Sequence, residues 1–315
     1  MTAAARIDPA AVRRTLKAAG LRARHALSQN FLADVDVLEA ILGEASPAPG
    51  RGVLEIGPGL GFLTRGLLDG GAAVTAVELD RGLAGFLRSE FEPEIEDGRL
   101  RLIEDDALDQ ELTRLVDPPY DVVANLPYHI TSPILHRLLG DTPRPERLIL
   151  MVQREVAERI AAPPGRMSYL SVFVQYHAKV RIAFTVPGAA FEPEPAVDSA
   201  VIVVEPYPGD DRLPDAEAED ALWRLVQAGF RERRKMLHNV LSRQLPVEPA
   251  RVAAALETAG IDPDRRPQTV AVGEWLALLA AIGEIGEDNR GRRRERAAPD
   301  PGDRYGAPGT PEDDR

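Results

Sequence analysis

Up to about residue 205 the chain alternates between two patterns: short apolar runs, and stretches whose apolar positions recur at helical spacing. Val53–Ile56, Ala73–Val77, Arg101–Ile103, residues 120–124, Leu148–Val152, Val180–Val186 and Ser199–Glu205 read as strands. Helices are predicted over 9–20, ending at Gly20, and over 35–43, where Asp34 stands at the N-cap and Val37, Leu38, Ile41 and Leu42 share a face. Further helices are predicted over 62–68, 154–161 and 169–177. Strands alternating with helices predict an α/β domain with a mainly parallel, doubly wound sheet. Pro206, Pro208, Gly209 and a run of acids then make a linker. Beyond it only helical patterns follow, at 217–229, 231–243, 249–258 and 271–282, punctuated by Pro246, Pro249, Gly260 and Pro263. The expected organisation is a basic N-terminal extension over 1–30, an α/β domain over 31–205, a small all-α domain over 206–286 and a tail from 287. The tail is rich in Arg, Asp, Pro and Gly and is expected to be disordered.

Composition narrows the chemistry. The 315 residues contain no cysteine, which excludes disulfides, thiolate metal sites and cysteine nucleophiles. The first twenty residues carry charges throughout and no apolar core of signal-peptide length, and no stretch is long and apolar enough to span a bilayer. A cytoplasmic protein without a membrane partner is expected. The formal net charge of -12 argues mildly against a polyanionic partner, but its distribution is uneven. Arg6, Arg13, Arg14, Lys17, Arg22 and Arg24 face one acid, Asp8, within residues 1–30. Arg224, Arg231, Arg233, Arg234, Lys235 and Arg243 face one acid, Glu232, within 224–243. Two basic segments on an acidic body suit either solvated helix faces or a local polyanion footprint.

Candidate chemistry gathers at the predicted strand ends, where open α/β sheets bind ligands. The first strand runs into Gly57-Pro58-Gly59-Leu60-Gly61 and then a helix. The spacing is G-x-G-x-G rather than the G-x-G-x-x-G of dinucleotide-binding proteins, and it looks more like that of class I S-adenosylmethionine (SAM) methyltransferases. Glu78 ends the second strand at about the distance expected of a ribose-binding acid, roughly 20 residues on. After the third strand, an acid beside Ala107-Leu108 suits an adenine amine, and Asp106 fits better than Asp105 because it immediately precedes that apolar pair. The fourth strand runs into Asn125-Leu126-Pro127-Tyr128. Pro127 turns the chain, so an amide, two carbonyls and an aromatic ring are presented together, a set suited to holding a nucleobase by its amino group; taken alone, a strand-terminating turn with a half-buried Tyr is the alternative. Phe191 precedes a loop stiffened by Pro193 and Pro195, which is expected to hold its ring outward; a core Phe is the alternative.

These residues resemble the ribosomal RNA adenine dimethyltransferase family. SQNFL, LEIGPGLGFLT, VELD, DDAL, NLPYHI, FEPEPAVDSAVI and FRERRKMLHNVL occur in the family's order over about residues 20–285. The resemblance implies a class I SAM-dependent methyltransferase fold, Rossmann-like with a seven-stranded sheet, followed by a small helical domain. It implies SAM as methyl donor with no metal. Asn30 and Leu32 would belong to a loop covering SAM, Gly57 and Gly59 to the glycine loop, and Glu78 to the ribose. Asp106 would meet the adenine amine, and Asn125 the methionine moiety and target amine. Tyr128 and Phe191 would stack on a flipped target adenine. Three positions depart from the family pattern: Ser28 where Gly is usual, Ala196 where Lys is usual, and His129 where Asn is common. The basic stretch with Arg231, Arg233, Arg234 and Lys235, with the whole 216–286 module, resembles the bacterial KsgA/RsmA type. That type implies a monomer acting on small-subunit ribosomal RNA within an immature small ribosomal subunit. The Erm type, which modifies large-subunit RNA, is the nearest alternative. A nucleotide-binding oxidoreductase would explain the glycine loop and Glu78 but not Asn125–Tyr128. A non-catalytic RNA-binding assembly factor would leave the intact pocket positions without a role.

Overall fold

The computed structural model describes residues 7–24, 27, 29–208, 213 and 215–286. In chain order the N-terminal elements are α1 (Pro9–Ala18), β1 (Phe31–Leu32), α2 (Val35–Ala45), β2 (Gly52–Ile56), α3 (Phe62–Asp69) and β3 (Ala73–Glu78). There follow α4 (Arg81–Glu90), α5 (Glu92–Glu96), β4 (Leu100–Glu104), β5 (Tyr120–Asn125), α6 (Thr131–Gly140) and β6 (Arg147–Gln153). Then come α7 (Arg154–Ile160), α8 (Tyr169–His177), β7 (Ala178–Val186), β8 (Phe191–Glu192) and β9 (Ser199–Pro206). The C-terminal helices are α9 (Ala216–Phe230), α10 (Leu237–Gln244), α11 (Pro249–Thr258) and α12 (Val272–Ile282).

Among the described residues one sheet has seven strands in the order β4-β3-β2-β5-β6-β9-β7. The first five are parallel, and β9 runs antiparallel to both β6 and β7. β2 and β5 are buried nearly end to end, as strands covered by helices on both faces must be. Val53, Val74, Val123, Ile149 and Val201 share one core with Leu38 and Ile41 of α2 and Leu63 and Leu67 of α3. Side-chain caps start α2 and α4: the Asp34 carboxylate accepts from the Asp36 and Val37 amides, and Asp80 from those of Gly82 and Leu83. The sequence pattern did not single out α4, α5 or α6. Each is short, and Pro93 in α5 and Pro133 in α6 read as breakers, although proline is tolerated in a first helical turn.

Strand order reverses between β2 and β5, with β3 and β4 to one side and β6, β9 and β7 to the other. This is the switch point at which loops leave in opposite directions and open a crevice. The glycine loop after β2 and the tetrapeptide after β5 therefore meet there. A Cβ placed on Gly57 would lie 3.8 Å from Cδ of Pro127.

A second, two-stranded sheet was not anticipated. Phe31 pairs with Glu192 and Leu32 with Phe191, antiparallel, and the Ala33 amide donates to the Ala190 carbonyl at 2.7 Å. Two residues per strand are too few to show a period, so only the tertiary fold reveals them. Val12 and Leu16 of α1 pack on Phe31, Ala33, Leu60 and Leu83, which seats the N-terminal arm on the α/β unit.

The described residues divide into two compact units, one within residues 7–162 and 173–208, the other within residues 163–172 and 213–286. Residues 163–172 thus group with the C-terminal helices, not with the domain in which the sequence pattern left them. In that second unit Trp275 of α12 is fully buried, and a Cβ on Gly229 of α9 would come within 2.5 Å of its ring. Arg265 pairs with Glu274, which also accepts the Ala271 amide at the start of α12. The expected helix over 231–243 is not formed as one element. α9 stops at Phe230, residues 231–235 make turns, and α10 begins at Leu237 after an extended Met236. The break has a long-range cause: the Leu237 and His238 amides donate to the Arg265 and Pro263 carbonyls at 2.7 and 3.3 Å. The expected tail from 287 lies outside the described residues.

Candidate active site

One cleft of about 370 Å³ opens at the carboxyl edge of the sheet, within the first unit. Asn30, Leu32, Gly57, Gly59, Glu78, Asp106, Asn125, Leu126, Pro127, Tyr128 and Phe191 all line it. They come from six separate stretches of sequence, brought together by the switch point. Arg231, Arg233, Arg234 and Lys235 belong to the second unit, where all four are exposed in the turn between α9 and α10. Arg231 donates to Gln244 Oε1 at 2.9 Å.

The glycine loop leaves little choice of residue. Gly59 sits at φ +60°, and a Cβ there would lie 3.2 Å from the Phe31 ring. A side chain would be both strained and crowded. The Gly59 amide donates to Glu78 Oε2 at 3.1 Å, while Glu78 Oε1 accepts the Asp80 amide at 2.8 Å. Glu78 is almost fully buried, and burial pushes its carboxyl above the usual range, partly offset by these amides. Behind it Glu55 is fully buried, and its carboxylate accepts the Thr64 hydroxyl at 2.7 Å. Burial pushes Glu55 up to about 8; the Thr64 bond opposes this and the neighbouring Glu78 adds to it. Asp106 Oδ1 accepts the Leu108 amide at 2.8 Å, and Oδ2 has no partner among the described residues. Asp105 is committed to the Asp106 amide and to Gln110, which supports the choice of Asp106 for an incoming amine. A buried ribose-height carboxylate, a side-chain-free loop and an unspent acceptor beside Ala107 and Leu108 fit a nucleoside with a charged tail such as SAM.

The tetrapeptide lies on the other wall. The Leu126 amide continues the ladder to the Met151 carbonyl at 3.1 Å, which buries the Leu126 side chain and aims the turn at the cleft. The Asn125 amide nitrogen donates to the Asn30 carbonyl at 3.4 Å, leaving Oδ1 without a partner among the described residues. The Pro127 carbonyl already accepts the Ile130 amide at 3.2 Å, whereas the Leu126 carbonyl accepts nothing among the described residues. Two unspent acceptors, Asn125 Oδ1 and the Leu126 carbonyl, are therefore adjacent. The Tyr128 hydroxyl hydrogen-bonds to Oγ of Ser199, the fully buried first residue of β9, at 3.2 Å.

Phe191 does not point outward. It is 2% exposed and packs with Leu32 and Val201 while still lining the cleft. Pairing of β8 with β1 overrides the stiff loop that follows. Sequence reasoning passed over Leu79, Gln29, Glu55 and Ser199. Leu79 lines the cleft and is 47% exposed, and its place directly after Glu78, the acid that ends β3, was the available signal. Gln29 donates to Asp80 Oδ2 at 3.3 Å. Of the departures from the family pattern, His129 lines the cleft mouth and is exposed, Ala196 is exposed, and Ser28 lies outside the described residues.

A mostly parallel seven-stranded sheet whose antiparallel strand sits next to the edge, with a glycine loop after β2, an acid ending β3 and the Asn125–Tyr128 turn after β5 meeting in one cleft, defines a class I SAM-dependent methyltransferase. The family model for ribosomal RNA adenine dimethylase matches residues 20–283. The chain is 42% identical over 276 residues to the ribosomal RNA small subunit methyltransferase A of Anaeromyxobacter sp. (strain K), covering 84% of this chain and 94% of the relative. It is 43% identical over 272 residues to the protein of the same name from Thermosynechococcus vestitus, covering 84% and 98%. Among solved structures, the 23S rRNA methyltransferase ErmE is similar at TM-score 0.64 and 30% identity, covering 81% of this chain and all of that one. A dimethyladenosine transferase from Plasmodium falciparum is similar at TM-score 0.66 and 25% identity, covering 79% and 96%. The chain belongs to the ribosomal RNA adenine dimethylase family. None of its described helices is long and apolar enough to cross a membrane.

Proposed function

We propose that this protein transfers methyl groups from SAM to the exocyclic amines of adenines in 16S RNA of the small ribosomal subunit. We propose two methylations at each of two adjacent adenines, carried out by a cytoplasmic monomer during subunit assembly. The observation that carries this reading is the pair of unspent acceptors, Asn125 Oδ1 and the Leu126 carbonyl, at the wall of a cleft built for a nucleoside donor. When bound, SAM supplies an electrophilic methyl group on a sulfonium.

The chain's own contribution is positioning and electrostatics. An adenine amine is a poor nucleophile because its lone pair is delocalised into the ring. Acceptance of its two hydrogens by Asn125 and Leu126 favours a pyramidal nitrogen with a localised lone pair. Both acceptors also stabilise the positive charge that develops on that nitrogen. No strong base is required, since the proton leaves after the nitrogen has become cationic. After one methylation a single N–H remains, which a neutral amide such as Asn125 still accepts. Tyr128 and Phe191 flank the extruded base and offset part of its unstacking cost. Glu78 holds the ribose, Asp106 the cofactor adenine, and Asn30 and Leu32 close the arm over it. Arg231, Arg233, Arg234 and Lys235 meet RNA phosphates.

The large-subunit reading has one specific support, the likeness to ErmE at 30% identity; the small-subunit relatives at 42% outweigh it. Tritiated methyl transfer to small subunits, large subunits and naked RNA in parallel, followed by nucleoside analysis, tests the choice. Dimethyladenosine in small-subunit RNA is expected. Label confined to large-subunit RNA would overturn the reading, and SAM binding without any transfer would leave a non-catalytic assembly factor.

A further inference from the structure

The N-terminal arm carries its charge in a divided way. Between residues 7 and 33 there are five cations, Arg13, Arg14, Lys17, Arg22 and Arg24, against one acid, Asp8. Two of them are spent on acids close in sequence to residues that line the cleft. Arg13 pairs with Glu192, next to Phe191, at 2.5 Å, and Arg24 with Asp80, two residues beyond Glu78, at 3.2 Å. The other three, Arg14, Lys17 and Arg22, are exposed and make no ion pair or side-chain hydrogen bond among the described residues. Arg14 and Lys17 lie one helical turn apart, so their side chains emerge from the same face of α1. The opposite face is fixed: Val12 and Leu16 pack on Phe31, Leu60 and Leu83, which themselves line the cleft. Arg14 and Lys17 are thereby carried by a helix seated on residues that line the cleft, and Arg22, beyond the end of α1, lines a neighbouring pocket with Arg24, Asp80 and Leu83, the last of which also lines the cleft.

Three cations without an ion pair among the described residues, all on an arm that packs beside the cleft of a chain of net charge -12, need a reason. Scattered solvated lysines and arginines would be expected to find some of the abundant acids; these three have none among the described residues. We propose that Arg14, Lys17 and Arg22 form a phosphate-binding rail for the RNA strand that flanks the extruded adenine. It is a second RNA surface on the α/β unit, additional to the basic turn of the C-terminal unit, and it rests on the RNA reading above. Division of labour within the arm follows. Arg13 and Arg24 latch it to the residues around the cofactor and the base, and its outer face grips the substrate backbone. A strand held there places its flanking phosphates beside the cleft without any base-specific contact, as a positioning element for a base that must leave its stack.

Binding of small-subunit RNA is measured across a salt series for wild type, for an Arg14→Ala/Lys17→Ala/Arg22→Ala variant, and for an Arg233→Ala/Arg234→Ala/Lys235→Ala variant. Each phosphate contact on single-stranded RNA contributes about 0.7 to the slope of log K against log salt, so the α1 variant should lose about 2 from that slope. Its SAM affinity by calorimetry should stay within about twofold of wild type, because no substituted side chain lines the cleft. In wild-type protein, RNA should also protect Lys17 from acylation by an N-hydroxysuccinimide ester, a readout that holds even if the variant folds poorly. An unchanged slope together with an unprotected Lys17 overturns the rail. If wild type itself shows no salt-dependent RNA binding, the RNA reading falls and the rail with it. If wild type and the turn variant differ while the α1 variant matches wild type, only the rail is lost.

Discussion

At the scale of single residues, the unspent acceptors decide what the site can do. Asn125→Ala removes one acceptor that the proposed mechanism aims at the reacting nitrogen, and loss of one such preorganised bond costs about 10²- to 10³-fold in rate. Single-turnover methyl transfer should fall by that factor while SAM affinity holds; near-normal dimethylation by folded Asn125→Ala protein would remove the tetrapeptide from the mechanism. Tyr128 adds a finer test. Stacking alone asks only for a ring, so Tyr128→Phe should be nearly silent. The bond to Ser199 predicts otherwise, since the hydroxyl fixes the ring's orientation from β9. Tyr128→Phe and Ser199→Ala should each slow transfer by up to about tenfold, as expected for a lost hydrogen bond of about 0.5–1.5 kcal/mol. The double variant should be no slower than either single one. Full additivity in that cycle would show that the two groups act separately.

At the scale of elements, the glycine loop and the β1–β8 pair shape the cleft between them. Gly59 is squeezed from two sides, by a left-handed backbone and by the Phe31 ring of β1. Gly59→Ala therefore has to displace either the loop or the arm. SAM affinity should fall by tenfold or more, on the order of 1.4 kcal/mol, with thermal stability little changed because the loop lies outside the sheet core. Calorimetry that finds wild-type affinity would show that the arm yields freely. The position of the loop was legible from G-x-G-x-G alone. Its contact with Phe31 was not, because a two-residue strand pairing across most of the α/β domain leaves no mark in local spacing. For the same reason the sequence placed Phe191 outward: two prolines describe the loop after it, while its burial is decided by Leu32, its partner in the pair. The helix over 231–243 failed similarly, ended by carbonyls of Arg265 and Pro263 that lie far along the chain.

At the scale of the whole molecule, Glu55 links the site to stability. Its carboxyl is pushed up to about 8 in the fold, against about 4.3 in an unfolded chain. The folded state thus keeps a proton that the unfolded chain has lost. This contribution to stability is fully present below about pH 4.3, declines as pH rises toward 8 and is flat above it, at up to about 1.4 kcal/mol per pH unit. Glu55→Gln keeps an acceptor for Thr64 without a charge. Its melting temperature relative to wild type should rise steadily between about pH 5 and 8 and level off beyond. A gap that does not change with pH would show that Glu55 is ionised throughout.

The sequence by itself determined the class of fold, the seven sheet strands, the order of the motifs and eleven of the residues that line the cleft. These follow from local causes: apolar periodicity sets strands and helices, glycine and proline fix turns, and a switch-point crevice in a parallel sheet collects whatever stands at the strand ends. Tertiary structure alone decided which acceptors are spent and which have no partner among the described residues, that Tyr128 is held by Ser199, that Phe191 is buried, and that Arg13 and Arg24 are tied down while Arg14, Lys17 and Arg22 make no ion pair among the described residues. Each of these depends on a partner from a distant part of the chain. A sequence names the groups it carries, but whether a group is still available for a ligand is known only when its neighbours in space are known.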